Sequence, residues 1–426
     1  MTDYTQFTAD KIYNLYATGK ANPIHVIQQV LDKINKLNPI VNAFCFVDPI
    51  SSLKQAEDSA ARWACGQPLS ALDGIPLAVK DSIHTQGWPT LYASRTVNAN
   101  QIWAHDDPIV ADLRKAGVVF VGKTTMSEFG YAANHSDSLI YGSVKNPWRL
   151  DFSPGGSSGG SAVAVATGMA TLALGTDRGG SISVPSAWNG VIGYKPTEGI
   201  MPVDPVDVLN LSSLGLLTRS VVDIETVLLT VNSNKIPQTG QMFSKKQIAF
   251  AKGFHHDKLA QWFQNQNCVV KQIPLPFKEA NEIFDQLVLP KIYAEWSSIP
   301  KHLQKLTDKE IHHRAILAHT KEQTYHYLVK RQELIYQIDK SLEQFDYVVC
   351  PVTNYAMLDK IKYQNRALES VLFTVTKQPT TTVPIGLDHQ GMPIGILIAG
   401  KKGCDWQMLQ LVKHLCEEFK IPRCPL

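Results

Sequence analysis

The spacing of apolar residues divides the chain into three textures. Asn22 and Pro23 form an N-cap and a first helical position. Ile24, Ile27, Val30, Leu31, Ile34 and Leu37 then recur at helical spacing until Asn38 and Pro39, where the pattern predicts a stop. A second helix is predicted over roughly Pro49–Cys65, closed by Gly66, so residues 1–66 read as a helical layer. From Leu72 the texture changes to short apolar runs bounded by Gly and Pro: Gly74–Val79, Gly117–Val121, Ala170–Leu174 and Val191–Tyr194, with a helical stretch at Asp107–Lys115. Runs this short, alternating with helices, predict an α/β fold whose sheet is covered on both faces. Residues 232–346 turn polar and read as a variable helical subdomain, with a possible strand at Gln247–Ala251. Strand texture returns at Tyr347–Val352 and Thr381–Ala399, and a last helix starts near Asp405. No repeat or low-complexity linker interrupts the chain, which predicts one domain over 1–426.

Composition narrows the function classes. The 426 residues exceed the roughly 250–300 at which one core usually stops growing, which fits a large domain carrying a subdomain. With 41 basic and 38 acidic residues, and no basic cluster interleaved with aromatics, nucleic acid is not an expected partner. The seven cysteines are scattered and lack CxxC spacing, so neither a disulfide framework nor a metal site is expected, and reduced buried thiols are. The amino terminus has no basic stretch followed by an apolar one, which predicts a cytoplasmic protein. The uncharged run Phe152–Thr176 is long enough to span a bilayer, but Gly, Ser, Ala and Thr dominate it. A packed interior helix is expected there and no membrane contact.

Two local motifs compete for the chemistry. Gly117–Thr124 satisfies GxxxxGK[ST], yet its interior is Val118, Val119, Phe120 and Val121, the composition of a buried strand and not of a loop whose amides cradle phosphate. Overlapping GxSxG matches surround Ser157 and Ser158, but Trp148–Pro154 is not the apolar strand that precedes an α/β-hydrolase nucleophile, and no histidine downstream stands in a recognisable context.

A third set of blocks is spread over a hundred residues: LDGIPLAVKD (Leu72–Asp81), PGGSSGGS (Pro154–Ser161) and GTDRGGS (Gly175–Ser181). Together with Gly122–Gly130, Tyr141–Trp148, Gly193–Thr197 and Gly391–Gly395, they resemble the amidase signature family of Ser-cisSer-Lys amide hydrolases. The likeness is strong over about 70–220 and weak across the middle. It implies a large mixed, twisted sheet and a reaction through an acyl-enzyme. In that reading Ser181 is the nucleophile, Ser157, preceded by a cis peptide, relays a proton, and Lys80 is the base. The amides of Arg178, Gly179, Gly180 and Ser181 would form the oxyanion hole, while Ser158 and Asp177 support the loops. Gly130, Tyr131 and Arg178 would contact substrate, with Phe129–His135 lining an acyl pocket.

The chemistry is consistent with this. A serine hydroxyl needs a base within hydrogen-bond reach, and a lysine serves only if burial or positive potential lowers its pKa from near 10.4. Lys80 ends an apolar run, as that requires; taken in isolation, its default reading is a surface lysine paired with Asp81. The chain departs from the family at Ser183, where an arginine is common, and at Arg178, where the residue is usually small. Arg178 therefore either recognises an anionic substrate group or makes a structural ion pair. Ile396 and Thr374 replace a frequent glutamine and asparagine in the part expected to close the cleft. The resemblance implies no cofactor and no metal, a small-molecule amide as partner, and is compatible with a homodimer. Its alternatives are the glutaminase-type subunit of a tRNA-dependent amidotransferase, an α/β-hydrolase-like esterase, or a non-catalytic binding module.

Overall fold

A computed structural model describes residues 2–132, 134–202, 211–232, 244–318, 321–353 and 369–426. Its strands, in chain order, are β1 (Phe44–Val47), β2 (Pro76–Lys80), β3 (Val119–Thr124), β4 (Asp137–Ser138), β5 (Gly142–Ser143), β6 (Leu172–Asp177) and β7 (Ile192–Lys195). They continue with β8 (Ser213–Thr218), β9 (Gln247–Ala251), β10 (Val269–Ile273), β11 (Tyr347–Pro351), β12 (Thr380–Leu387) and β13 (Pro393–Gly400). Among the described residues, eleven of these form one sheet in the order β1-β3-β2-β6-β8-β7-β12-β13-β11-β9-β10, and β4 with β5 forms a separate pair. The sheet is mixed: β2 runs parallel to β3 and β6, and β9 to β10 and β11, while the central strands pair antiparallel.

Strand alternation divides the core. Leu77 and Val79 of β2 face a cluster that includes the helices Ala9–Ala17, Pro108–Lys115, Val221–Asn232 and Asp405–Glu418. Ala78 faces the opposite cluster, built on the helices Pro23–Val41 and Gly159–Thr167. Lys80 shares the parity of Ala78, so β2 delivers it to the side on which helix Gly159–Thr167 begins. A third cluster packs the helices Ser183–Asn189, Phe277–Ser298, Lys321–Gln344 and Ser370–Val375 against β9, β11 and β13.

The α/β texture is observed, with three corrections. The helix Pro23–Val41 continues through Pro39 and ends two residues later, at a left-handed Asn42. A proline removes one donor, and at the end of a helix that loss is small when Asn42 N–H still reaches Asn38 O at 2.7 Å. The opening helical layer contains β1, which pairs antiparallel with β3 at one edge of the sheet. Within residues 232–346 the strand expected at Gln247–Ala251 is present as β9, but the region also holds the unforeseen β10, and the two extend the main sheet at its other edge; 233–243 and 319–320 of that range lie outside the described residues. Cys65 is exposed and four other thiols are half-buried, so burial of all seven is also not observed. No helix among the described residues is long and apolar enough to cross a membrane.

Candidate active site

The two decoy motifs resolve at once. Gly117–Thr124 contributes the buried strand β3, paired on both sides, and Lys123 Nζ donates to Ile83 O and, at 2.7 Å, to Thr90 Oγ1. Trp148–Pro154 contains no strand, so Ser157 does not follow one and the α/β-hydrolase arrangement is absent.

Lys80, at the end of β2, is fully buried, and its amine is held by four groups. Nζ lies 2.7 Å from Ser157 Oγ, 2.9 Å from Ser158 Oγ, 2.8 Å from Thr176 Oγ1 and 3.2 Å from Thr176 O. It has no contact with the Asp81 carboxylate, which accepts from Leu91 N (3.1 Å) and Ala93 N (2.8 Å). The surface-pair reading of Lys80 is therefore overturned. Burial holds its pKa well below that of a solvated lysine, and the Arg178 guanidinium pushes in the same direction against the opposing Asp177 charge.

Ser157 and Ser158 lie in the turn that leads into helix Gly159–Thr167. The Gly156–Ser157 peptide is cis. This turn can sit so deep because its neighbours lack side chains: a Cβ on Gly156 would lie 1.8 Å from His135 O, and one on Gly130 3.2 Å from Ser157 Oγ. Ser136, which no sequence signal singled out, fixes the turn from below. Its Oγ lies 3.0 Å from Gly155 O and 3.2 Å from Ser157 O and accepts from Gly159 N at 2.9 Å.

Ser181 is buried on the loop that follows β6, and its carbonyl accepts from Ser158 N at 3.2 Å, which joins the two serine loops. Among the described residues, its hydroxyl has no hydrogen bond to Ser157; the backbone brings the two together. Asp177 organises this loop: its carboxylate accepts from Gly180 N (2.9 Å), Ile182 N (2.7 Å) and Thr374 Oγ1 (3.0 Å). The Gly180 amide is thus directed at Asp177, which sets it apart from the amides of Arg178, Gly179 and Ser181. Gly179 lies against the Phe284 ring, where a Cβ would come within 2.6 Å.

Arg178 leaves the same loop toward the 130s segment. Its Nε donates to Ser212 Oγ at 3.2 Å and its guanidinium stands 4.8 Å over the Tyr131 ring. Tyr131 in turn donates to Glu295 through its hydroxyl and accepts from Arg314 through its carbonyl at 3.1 Å. Ala133, within the predicted Phe129–His135 lining, is outside the described residues. Ile396 is buried in β13, flanked by Val383 and Pro351. Thr374 supports Asp177. Thr176, Ser212, Ser136 and Glu295 were missed by sequence reasoning because each meets the site through a tertiary contact. Among the described residues no group of three or more His, Cys, Asp or Glu side chains could hold a metal ion.

A buried lysine bonded to a cis-peptide serine on a mixed eleven-stranded sheet defines the amidase signature class. The family model described as Amidase matches residues 25–260 and 277–409, and the chain belongs to the Amidase family. A putative amidase of Synechocystis sp. is 27% identical over an alignment covering 99% of this chain and 90% of that protein. One component of the glutamyl-tRNA(Gln) amidotransferase of Salinispora tropica is 42% identical over 199 residues, but that alignment spans 47% of this chain and only 40% of the relative. Solved structures share the fold: a crystal structure of an amidase superposes with a TM-score of 0.87 at 24% identity, covering 97% of this chain and 100% of that one. A bacterial aryl acylamidase of the same signature family gives 0.87 at 20% identity, covering 96% of each chain.

Proposed function

We propose that this protein hydrolyses the carbon–nitrogen bond of a small-molecule amide through an acyl-enzyme on Ser181. The observation that carries the reading is the 2.7 Å contact between the buried Lys80 amine and Ser157 Oγ. A lysine kept neutral by burial accepts the Ser157 proton as Ser157 accepts that of Ser181, whose oxygen attacks the amide carbonyl. The resulting oxyanion is met by amides of Arg178, Gly179 and Ser181. The proton returns through Ser157 to the leaving nitrogen, the C–N bond breaks, and an amine departs. Water, deprotonated along the same path, then cleaves the ester to a carboxylic acid and restores Ser181. The proton lost with the amine is replaced by one from water, both passing through Ser157 and Lys80, and no cofactor enters these steps. Gly130 shapes the space over Ser157, and Tyr131 and Arg178 form the substrate wall.

Ser181→Ala is expected to remove hydrolysis of an aliphatic or aryl amide and labelling by a fluorophosphonate, with an unchanged circular dichroism spectrum. Lys80→Ala and Ser157→Ala should each lose at least about 10²- to 10⁴-fold in kcat, the usual worth of general acid–base groups. Wild-type turnover in the Ser181→Ala protein would end the proposal.

The 42% identity to an amidotransferase component over 199 residues favours a second reading, in which the chain releases ammonia from glutamine for a partner. Glutamine hydrolysis that appears only when a second protein is added would select it. In the first reading the chain acts alone in the cytoplasm, as a monomer or homodimer.

A further inference from the structure

The loop that presents Ser181 also carries a cation that transfers no proton in the hydrolytic steps. Arg178 stands three residues before Ser181, and its orientation is set twice, by the Nε contact to Ser212 Oγ and by the Tyr131 ring beneath the guanidinium plane. A second cation reaches the same residue from another element: Lys377 Nζ donates to Ser212 O at 3.4 Å. Lys377 is 7% exposed and has a φ of 66°, a left-handed backbone that a residue with a side chain seldom adopts. Two positive groups from the loop after β6 and the segment before β12 therefore converge on Ser212, the residue before β8. Beside them the wall is aromatic, with Tyr131 and Phe284 packed in one cluster and Phe284 lying on Gly179.

We propose that Arg178, backed by Lys377, is a carboxylate-recognition subsite, and that the substrate is an amide bearing a carboxylate a few bonds from the scissile carbonyl. This rests on the Ser181 amide-hydrolase reading. A guanidinium already fixed in its plane loses little freedom on forming charge-assisted bonds to a carboxylate, and its planar fork matches the two oxygens. Ser212 sets the rotation of the head group, and the aromatic wall accepts the short apolar span between carboxylate and amide. The position next to the oxyanion loop fixes the reach: the anion must bind on the Arg178 side while the carbonyl lies over Ser181. A lysine at 178 would supply the charge without the fork.

Two matched pairs of amides test this, one with the charge on the acyl side (succinyl 4-nitroanilide against butyryl 4-nitroanilide) and one on the amine side (N-acetyl-4-aminobenzoate against N-acetyl-4-toluidine). Wild-type protein is expected to prefer the carboxylate member of one pair by about tenfold or more in kcat/KM. Arg178→Ala should lose at least about tenfold more on the carboxylate member than on its neutral partner, mainly through KM. Arg178→Lys should recover part of that difference, and Lys377→Met should reduce it in part. Equal losses on both members, or no wild-type preference in either pair, overturn the subsite while leaving the hydrolytic reading intact. Should none of the four be hydrolysed, the subsite is decided by calorimetry with succinate. Succinate must then bind the Ser181→Ala protein at least about tenfold more tightly than the Ser181→Ala/Arg178→Ala protein; equal affinities overturn the proposal.

Discussion

A lysine that ends a buried strand has either a partner of opposite charge or no charge. Lys80 has hydroxyl and carbonyl partners and no carboxylate in contact, so the arrangement favours the neutral amine. Its position at the end of the Ile75–Val79 run was legible in the sequence, but its burial was not, because a strand's last residue can equally emerge at the surface. That its partner would be Ser157 and not Asp81 was legible only through the family likeness, because the two lie 77 residues apart in the chain. A base that must be unprotonated predicts a rate that rises with pH. kcat/KM should climb through the pKa of Lys80 and level off, with the midpoint of the acid limb well below 10.5. Lys123 and Lys195 are also held low by burial, each at about 8, and could shape such a profile. Arg178 separates them, because its charge acts on Lys80 and is not a cause of either of the other shifts. Removing that positive charge favours the protonated amine, so Arg178→Gln should move the acid limb to higher pH on a neutral amide. An acid limb near 10.5, or one that Arg178→Gln leaves in place, contradicts Lys80 as the base.

Among the elements, those set by composition were read correctly and those set by pairing were not. Val118–Val121 could only be a buried strand, and Gly159–Thr167, all Gly, Ala, Ser, Val and Thr, could only be a helix in close contact with its neighbours. By contrast β10 is half-exposed at the sheet edge and carries Lys271 and Gln272, so nothing but its pairing with β9 marks it as a strand. The residues Ser212 and Thr374 likewise gain their roles from the strand and helix that carry them to Arg178 and Asp177. The close contact of helix Gly159–Thr167 has a measurable consequence. A Cβ on Gly160 would lie 2.4 Å from Thr125 O and 2.5 Å from Ala43 O, both backbone atoms that cannot rotate away. Gly160→Ala is therefore expected to destabilise by about 2–3 kcal/mol or to prevent folding, as overpacking of a tight core does. Gly199, at φ +81° with open space around it, is the comparison: Gly199→Ala should cost about 1 kcal/mol. Urea midpoints that place Gly160→Ala level with Gly199→Ala would contradict this account of the helix.

For the molecule as a whole, the sheet order could not be read from the sequence, since β12 joins β7 and β1 joins β3, pairings fixed by long-range contacts alone. The amino-terminal segment shows how such contacts are held. Arg219 donates to Thr5 O (3.1 Å) and Phe7 O (2.9 Å) on one side and to Val165 O and Ala170 O (3.0 Å) on the other, so one guanidinium joins the chain start to the helix behind the site. Asp223, one turn further, accepts from Ala9 N at 2.9 Å and so anchors the start of helix Ala9–Ala17. Burial raises the Asp223 pKa to about 7, and repulsion from Asp10 adds to this against the opposing Arg219 charge. The folded state therefore binds a proton at Asp223 between pH 3.8 and about 7 that the unfolded chain does not hold. Stability from this group is fully present below pH 3.8 and is lost as pH rises through about 7. Asn keeps the carbonyl that caps the helix and cannot ionise. Asp223→Asn is thus expected to raise stability at pH 8 by at least about 1 kcal/mol and to gain less at pH 5, because one unit of pKa shift corresponds to about 1.4 kcal/mol. Chemical denaturation at both pH values measures the difference, and a substitution equally destabilising at pH 5 and pH 8 would show that Asp223 is held as a carboxylate whose charge the fold requires.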